Sequence, residues 1–172
     1  MLTLRRVFIW SAGALTCIGC TRGADPSATR RAGADSSFAV MQHRGTMAMG
    51  VDQTTSTHTF DALPDGGRIE LQRDLDDSLG IAQIRAHLRL IQHAFQAGDF
   101  STPQFVHMRA MPGTEVMAKK RGVIVYSYND LPRGGEVVMR STDAEAIAAI
   151  HAFMGAQRTE HHAMGAAPAD AP

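Results

Sequence analysis

Apolar residues recur along this chain with two alternating periods, and the change from one period to the other happens twice. The first change follows Thr57-His58-Thr59-Phe60 and the segment Leu63-Pro64-Asp65-Gly66-Gly67-Arg68-Ile69-Glu70-Leu71. Proline presets φ and glycine tolerates positive φ, so Leu-Pro-x-Gly-Gly between alternating residues predicts the turn of a β-hairpin. The spacing then lengthens to three and four at Ile81, Ile84, Leu88, Ile91 and Phe95, the stripe of an amphipathic helix, with Gly98 as its stop. At an offset of 68 residues the same motif returns as Leu131-Pro132-Arg133-Gly134-Gly135-Glu136-Val137-Val138-Met139, preceded by the strand-like run Val123 to Tyr128. A second helix follows, capped by Thr142 or Asp143, with Ile147, Ile150, Met154 and Gln157 on one face. The unit is strand, strand, helix. Two copies predict an α+β fold in which a four-stranded, mainly antiparallel sheet carries two long helices on one face, related by a pseudo-twofold axis. Between the copies, Phe105-Val106-His107-Met108 reads as a short strand or extended segment and Pro112 to Lys120 as a short helix. The run Val123 to Tyr128 is apolar nearly throughout, which suggests that the second sheet face is partly covered or makes a contact.

The two ends break this pattern. Arg5 and Arg6 precede an uncharged stretch, Val7 to Ile18, and then Gly19 and Cys20, the layout of a signal peptide over residues 1–19. The apolar stretch falls short of the roughly 20 residues a transmembrane helix needs. Cys17-Ile18-Gly19-Cys20 resembles a bacterial lipobox, with Cys17 where Leu is usual, so Cys20 is the expected lipidation site and membrane anchor. That places the domain on the periplasmic side of a bacterial membrane. Residues 20–37 hold no large apolar side chain and read as the lipidated cysteine and a flexible tether. Residues 38–162 form a single domain, and residues 163–172 a disordered tail.

Charge and cysteine content narrow the chemistry. Loss of Arg5 and Arg6 with the leader leaves 15 Lys and Arg against 17 Asp and Glu, a balance that gives no electrostatic reason for a nucleic-acid partner. Cys20 is then the remaining cysteine, so neither a disulfide nor a thiolate metal site is available. Eight histidines stand out in a domain of this size. His58 shares a strand face with Phe60, His87 flanks the stripe of the first helix, and His107 sits in an apolar run. His151 and His161 accompany Ile147 and Ile150 on the second helix. Each alone is more simply a core histidine bonded to a carbonyl or carboxylate. Together, His58, His87, His107 and His151 form a candidate metal site, with Met47 and Met49 of Met47-Ala48-Met49 as a thioether lid. Imidazole with thioether suits copper, Cu(I) above all, in an oxidising space. Zinc fits less well without thiolates or an HxxxH pair, and haem on one histidine is a further option.

Catalytic patterns are scarce: there is no Gly-x-Ser-x-Gly elbow, phosphate loop or HExxH. The segments Met49-Gly50-Val51-Asp52-Gln53, Thr57-His58-Thr59-Phe60, Ile84-Arg85-x-His87-Leu88 and Ile150-His151-x-Phe153 resemble a group of uncharacterised exported bacterial proteins with MGFDQ, TTHHF and IRxHL motifs. Thr59 stands where that group usually has a second histidine. Some of its members carry an aspartate carbamoyltransferase label. This chain is too short for the two domains of that enzyme and lacks its phosphate-binding pattern. The expectation is therefore a lipid-anchored periplasmic protein that binds a transition metal, with a histidine-dependent enzyme acting on a small molecule as a further reading. The alternative is an interaction or ligand-binding module that uses its open sheet face, with a protein partner or a second copy of itself.

Overall fold

A computed structural model describes residues 26–50, 52–163 and 165. The signal peptide, Cys20 and most of the C-terminal tail lie outside them. In chain order the elements are α1 (Pro26–Met49), a 3-10 turn (Gln53–Thr55), β1 (Ser56–Leu63), β2 (Gly66–Arg73), α2 (Ser78–Ala97), α3 (Ser101–His107), α4 (Thr114–Lys119), β3 (Ile124–Leu131), β4 (Gly134–Ser141) and α5 (Ala144–His161).

The four strands form one antiparallel sheet in the order β1-β2-β4-β3, so the two hairpins meet through β2 and β4. The register of that seam shows the duplication directly. Ile69 lies opposite Val137, its own counterpart in the repeat, which puts the pseudo-twofold axis between them. Backbone bonds obey the same symmetry. Arg73 N donates to the Arg133 carbonyl, and its counterpart Ser141 N donates to the Asp65 carbonyl, each over 2.8 Å. Both long helices cover one sheet face, and each lies across the hairpin of the other repeat: α2 over β3 and β4, α5 over β1 and β2. The core between them holds Phe60, Leu71, Ile84, Leu88, Phe95, Tyr126, Val137, Met139, Ile150, Phe153 and Met154.

Local chemistry explains the helix limits. Asp77 caps α2 by accepting from Gly80 N, and Asp143 caps α5 by accepting from Ala146 N. Gly98 ends α2 at φ 83°, a left-handed cap that glycine enters without a Cβ clash. At Gly67 close approach matters instead, because a Cβ there would stand 2.7 Å from Ile150 Cγ2 and 2.9 Å from Met154 Cγ of α5. Glycine lets the helix seat on the sheet.

Three expectations need correction. Residues 26–37 of the expected tether are helical, as is the unpatterned Met41 to Met49 segment: together they make α1. Pro26 occupies the first helical position, where its missing N–H costs nothing, and the stretch is rich in alanine. The segment around His107 is helix α3 rather than a strand, since Ser101 to His107 is too short to reveal a period. The outward sheet face is charged: Arg68 pairs with Asp61, Glu70 and Glu136 there, and on the edge strand of the same face Val125, opposite Arg140, lies 69% exposed. The apolar look of β3 comes from Ile124 and Tyr126, which point into the core.

Candidate functional site

The sheet positions His58 through simple alternation. In β1, His58, Phe60 and Ala62 share the inner face, and the His58 ring stacks on Phe60 with centroids 5.7 Å apart. Above them α5 brings down His161, whose ring centroid is 5.3 Å from that of His58 and 5.0 Å from that of His107 on α3. His87 reaches the same region from α2 and is hydrogen-bonded to the backbone of Ala48 on α1. A cavity of about 80 Å³ lies at this junction, lined by Met49, Gln53, His58, Phe60, His87 and His161 among other largely apolar side chains.

Burial governs the electrostatics. Desolvation lowers the pKa of His58 to about 4, with His87 adding to the shift, and lowers that of His87 to about 4 despite its bond to Ala48. His161 is lowered to about 3 by desolvation and by the neighbouring His58, His107 and His162. All three rings are neutral at ordinary pH and keep a nitrogen lone pair for a donor or a metal.

His107 is fixed more firmly than the others. Its side chain is 1% exposed, its Nδ1 lies 2.6 Å from Glu160 Oε2, and its Nε2 faces Gln157 Oε1 at 3.1 Å and His161 Nε2 at 3.3 Å. Arg109 holds the other oxygen of Glu160. At the far nitrogen of His161, Nδ1, no partner stands among the described residues although the atom is buried; Gln53 Oε1 is in the same state. Gln53, His58 and His161 line both the cavity and an adjoining surface groove of about 200 Å³, which also has Gln42, Ser56, Thr57 and His162 on its walls. These three residues are the partition between inside and outside.

Of the residues expected from sequence to form a site, His58, His87 and Met49 line the cavity, and His107 stands beside it against His161. His151 and Met47 do neither. Met47 is 64% exposed on α1. His151 spends its Nε2 on the Leu63 carbonyl, 2.8 Å away at the β1–β2 turn. The pseudo-symmetry explains why. Aligning the N-caps Asp77 and Asp143 offsets the helices by 66 residues and pairs His151 with Arg85, which donates to the Leu131 carbonyl at the equivalent turn. Both residues brace a helix against the other repeat's hairpin.

Carried further, that alignment reveals the residues that sequence reasoning left out. It matches His161 with Phe95 and Gln157 with Ile91, while the strand offset matches His58 with Tyr126. In the second hairpin Phe95 and Tyr126 meet as a plain aromatic pair, centroids 6.4 Å apart, where the first has His161 over His58. One half of the molecule fills these positions with core residues; the other fills them with imidazoles and an amide. Extending the repeat through the helices, with a gap of two residues before α5, is the signal in the sequence that leads to His161.

Comparison with protein-family models, with curated proteins and with solved structures gives no match. The site must therefore be interpreted from its own chemistry. Among the described residues no group of three or more His, Cys, Asp or Glu side chains is arranged to hold a metal ion.

Proposed function

We propose that this domain, tethered through Cys20 on the periplasmic side of a membrane, binds a small amphiphilic molecule at the partition formed by Gln53, His58 and His161. The observation that carries this reading is the contrast between the two halves. The fold closes over Phe95 and Tyr126 in one half, so it has no structural need for His161 and His58 in the other. Imidazoles desolvated at positions that tolerate aromatic rings lower stability in acid. A ligand repays that cost.

The geometry also describes the ligand. The cavity wall is mostly apolar, so an apolar end enters it. His161 Nδ1 and Gln53 Oε1 lack partners among the described residues, so a hydrogen-donating group at the partition would satisfy one or both. At about 80 Å³ the cavity is smaller than the roughly 150 Å³ that accommodates benzene, so it takes only a few heavy atoms. The remainder of the ligand lies in the groove beside Ser56 and Thr57.

The test copies one half of the molecule onto the other. The double variant His58→Tyr, His161→Phe is expected to fold and to resist acid better than the parent chain. Titration with n-butanol and n-hexanol, followed through the imidazole ¹⁵N resonances, should give saturable shifts at His58, His87 and His161 in the parent and no saturable binding in the variant. If the folded parent shows none with either alcohol, the reading fails.

A further inference from the structure

We propose that His107 and His161 form a two-coordinate site for Cu(I), adjoining the cavity but built from different atoms. The geometry begins with Glu160. Held by Arg109, it acts as an acceptor toward His107, so Nδ1 of that ring is the donating nitrogen. With one proton committed there, His107 Nε2 carries its lone pair, which two groups meet: His161 Nε2 at 3.3 Å and the Gln157 amide oxygen at 3.1 Å, which that lone pair repels and which swings aside as a cation enters. A carboxylate that fixes the far nitrogen of a ring, and so aims the near one, is the usual outer support of a metal-bound histidine.

His161 faces a choice that the folded chain leaves open. With its proton on Nε2 it donates to His107 and leaves Nδ1 as a buried lone pair without a donor. With its proton on Nδ1, two bare lone pairs confront each other across 3.3 Å. A cation between the two Nε2 atoms removes that repulsion. Two metal–nitrogen bonds of about 2 Å each set the nitrogens up to roughly 4 Å apart. The opening required is less than an ångström, and His161 is the last residue of α5, where the helix gives way to His162 at φ 50°.

Ligand number and type select the ion. Two neutral imidazoles suit soft, d¹⁰ Cu(I), which accepts near-linear coordination, whereas zinc sites draw on three or four protein ligands. The groove that reaches His161 supplies an entry path. The cavity ligand and the copper ion also call for opposite tautomers of His161: a donor at Nδ1 needs the proton on Nε2, and copper on Nε2 needs it on Nδ1. The two occupants therefore compete.

Anaerobic titration of the full chain with Cu(I) against a chromogenic Cu(I) chelator tests this, with X-ray absorption at the copper edge as the readout of coordination number. One equivalent bound in a two-coordinate environment is expected. His107→Phe and His161→Phe should each weaken binding at least 100-fold, and Glu160→Gln should do so about 10- to 100-fold, in line with other outer-shell carboxylates. His93→Ala, on an exposed position of α2, should leave affinity unchanged. Where His107→Phe unfolds the chain, Glu160→Gln and His161→Phe decide the matter. Stoichiometric binding that survives both, or binding no tighter than that of urea-unfolded chain, overturns the proposal. The two readings are separated with Glu160→Gln, which keeps His161: weakened copper binding there leaves saturable n-hexanol shifts at His58 and His87, and failure of the cavity reading leaves the Cu(I) affinity of the parent chain intact.

Discussion

Two histidines ten positions apart on one helix do different work because of what each meets. His161 faces another imidazole and a cavity, while His151 faces a backbone carbonyl. Nothing in the type of residue separates them. Their pseudo-symmetric counterparts do: Arg85 is a brace and Phe95 is core. Replacing His151 with Ala is expected to cost about 0.5–1.5 kcal/mol, the worth of one hydrogen bond to a half-buried acceptor. His151→Arg, which copies Arg85, should recover most of that loss. Urea denaturation of the two variants checks the pair, and neither should alter Cu(I) affinity.

At the scale of elements, α1 is the part most exposed to a change in pH. It packs chiefly against α3 and touches α2, where the bond from His87 to the Ala48 backbone ties it down. His58, His87 and His161 are held near 4, 4 and 3 against an ordinary value of 6.5. Below 6.5 the unfolded or opened chain takes up protons that the closed one refuses. Stability is therefore full above about pH 6.5 and falls as pH drops toward 4. Each ring contributes at most on the order of 3 kcal/mol over that window. Because all three border α1 or the cavity beneath it, amide hydrogen exchange should show α1 loosening at pH 5 while β2 and β4 stay protected. Uniform loss of protection across sheet and helix would contradict this order. The double variant at His58 and His161 should retain α1 at that pH.

Over the whole molecule, the sheet and its two helices were legible in the sequence because each rests on a local signal. Turn chemistry at Leu-Pro-x-Gly-Gly fixed the hairpins, and the three-and-four spacing of Ile81 to Phe95 fixed a helix. The 68-residue repeat then implied how they combine. Helix α1 was not legible, since a stretch rich in alanine, serine and glycine shows composition but no apolar stripe, and its helicity depends on what it packs against. The site was half legible. Alternation placed His58 inside and periodicity placed His87 beside the stripe, whereas choosing between His151 and His161 required knowing which hairpin α5 covers. That information belongs to the packing and not to the period of any one element.

The crossing of each helix onto the opposite hairpin has a kinetic meaning. Neither strand-strand-helix unit encloses a core of its own, because α2 rests on β3 and β4, and α5 on β1 and β2. Folding must close long loops before either helix finds its seat, so the two repeats form together or not at all. A cut at Met108 to Gly113, between the repeats, should yield two fragments that are each unstructured by circular dichroism. Mixed in equal amounts they should regain the spectrum of the intact chain at a rate that rises with concentration. The duplicated chain then behaves as an obligate dimer whose two partners happen to share one backbone, and whose joint carries α3, the short helix that brings His107 to the site.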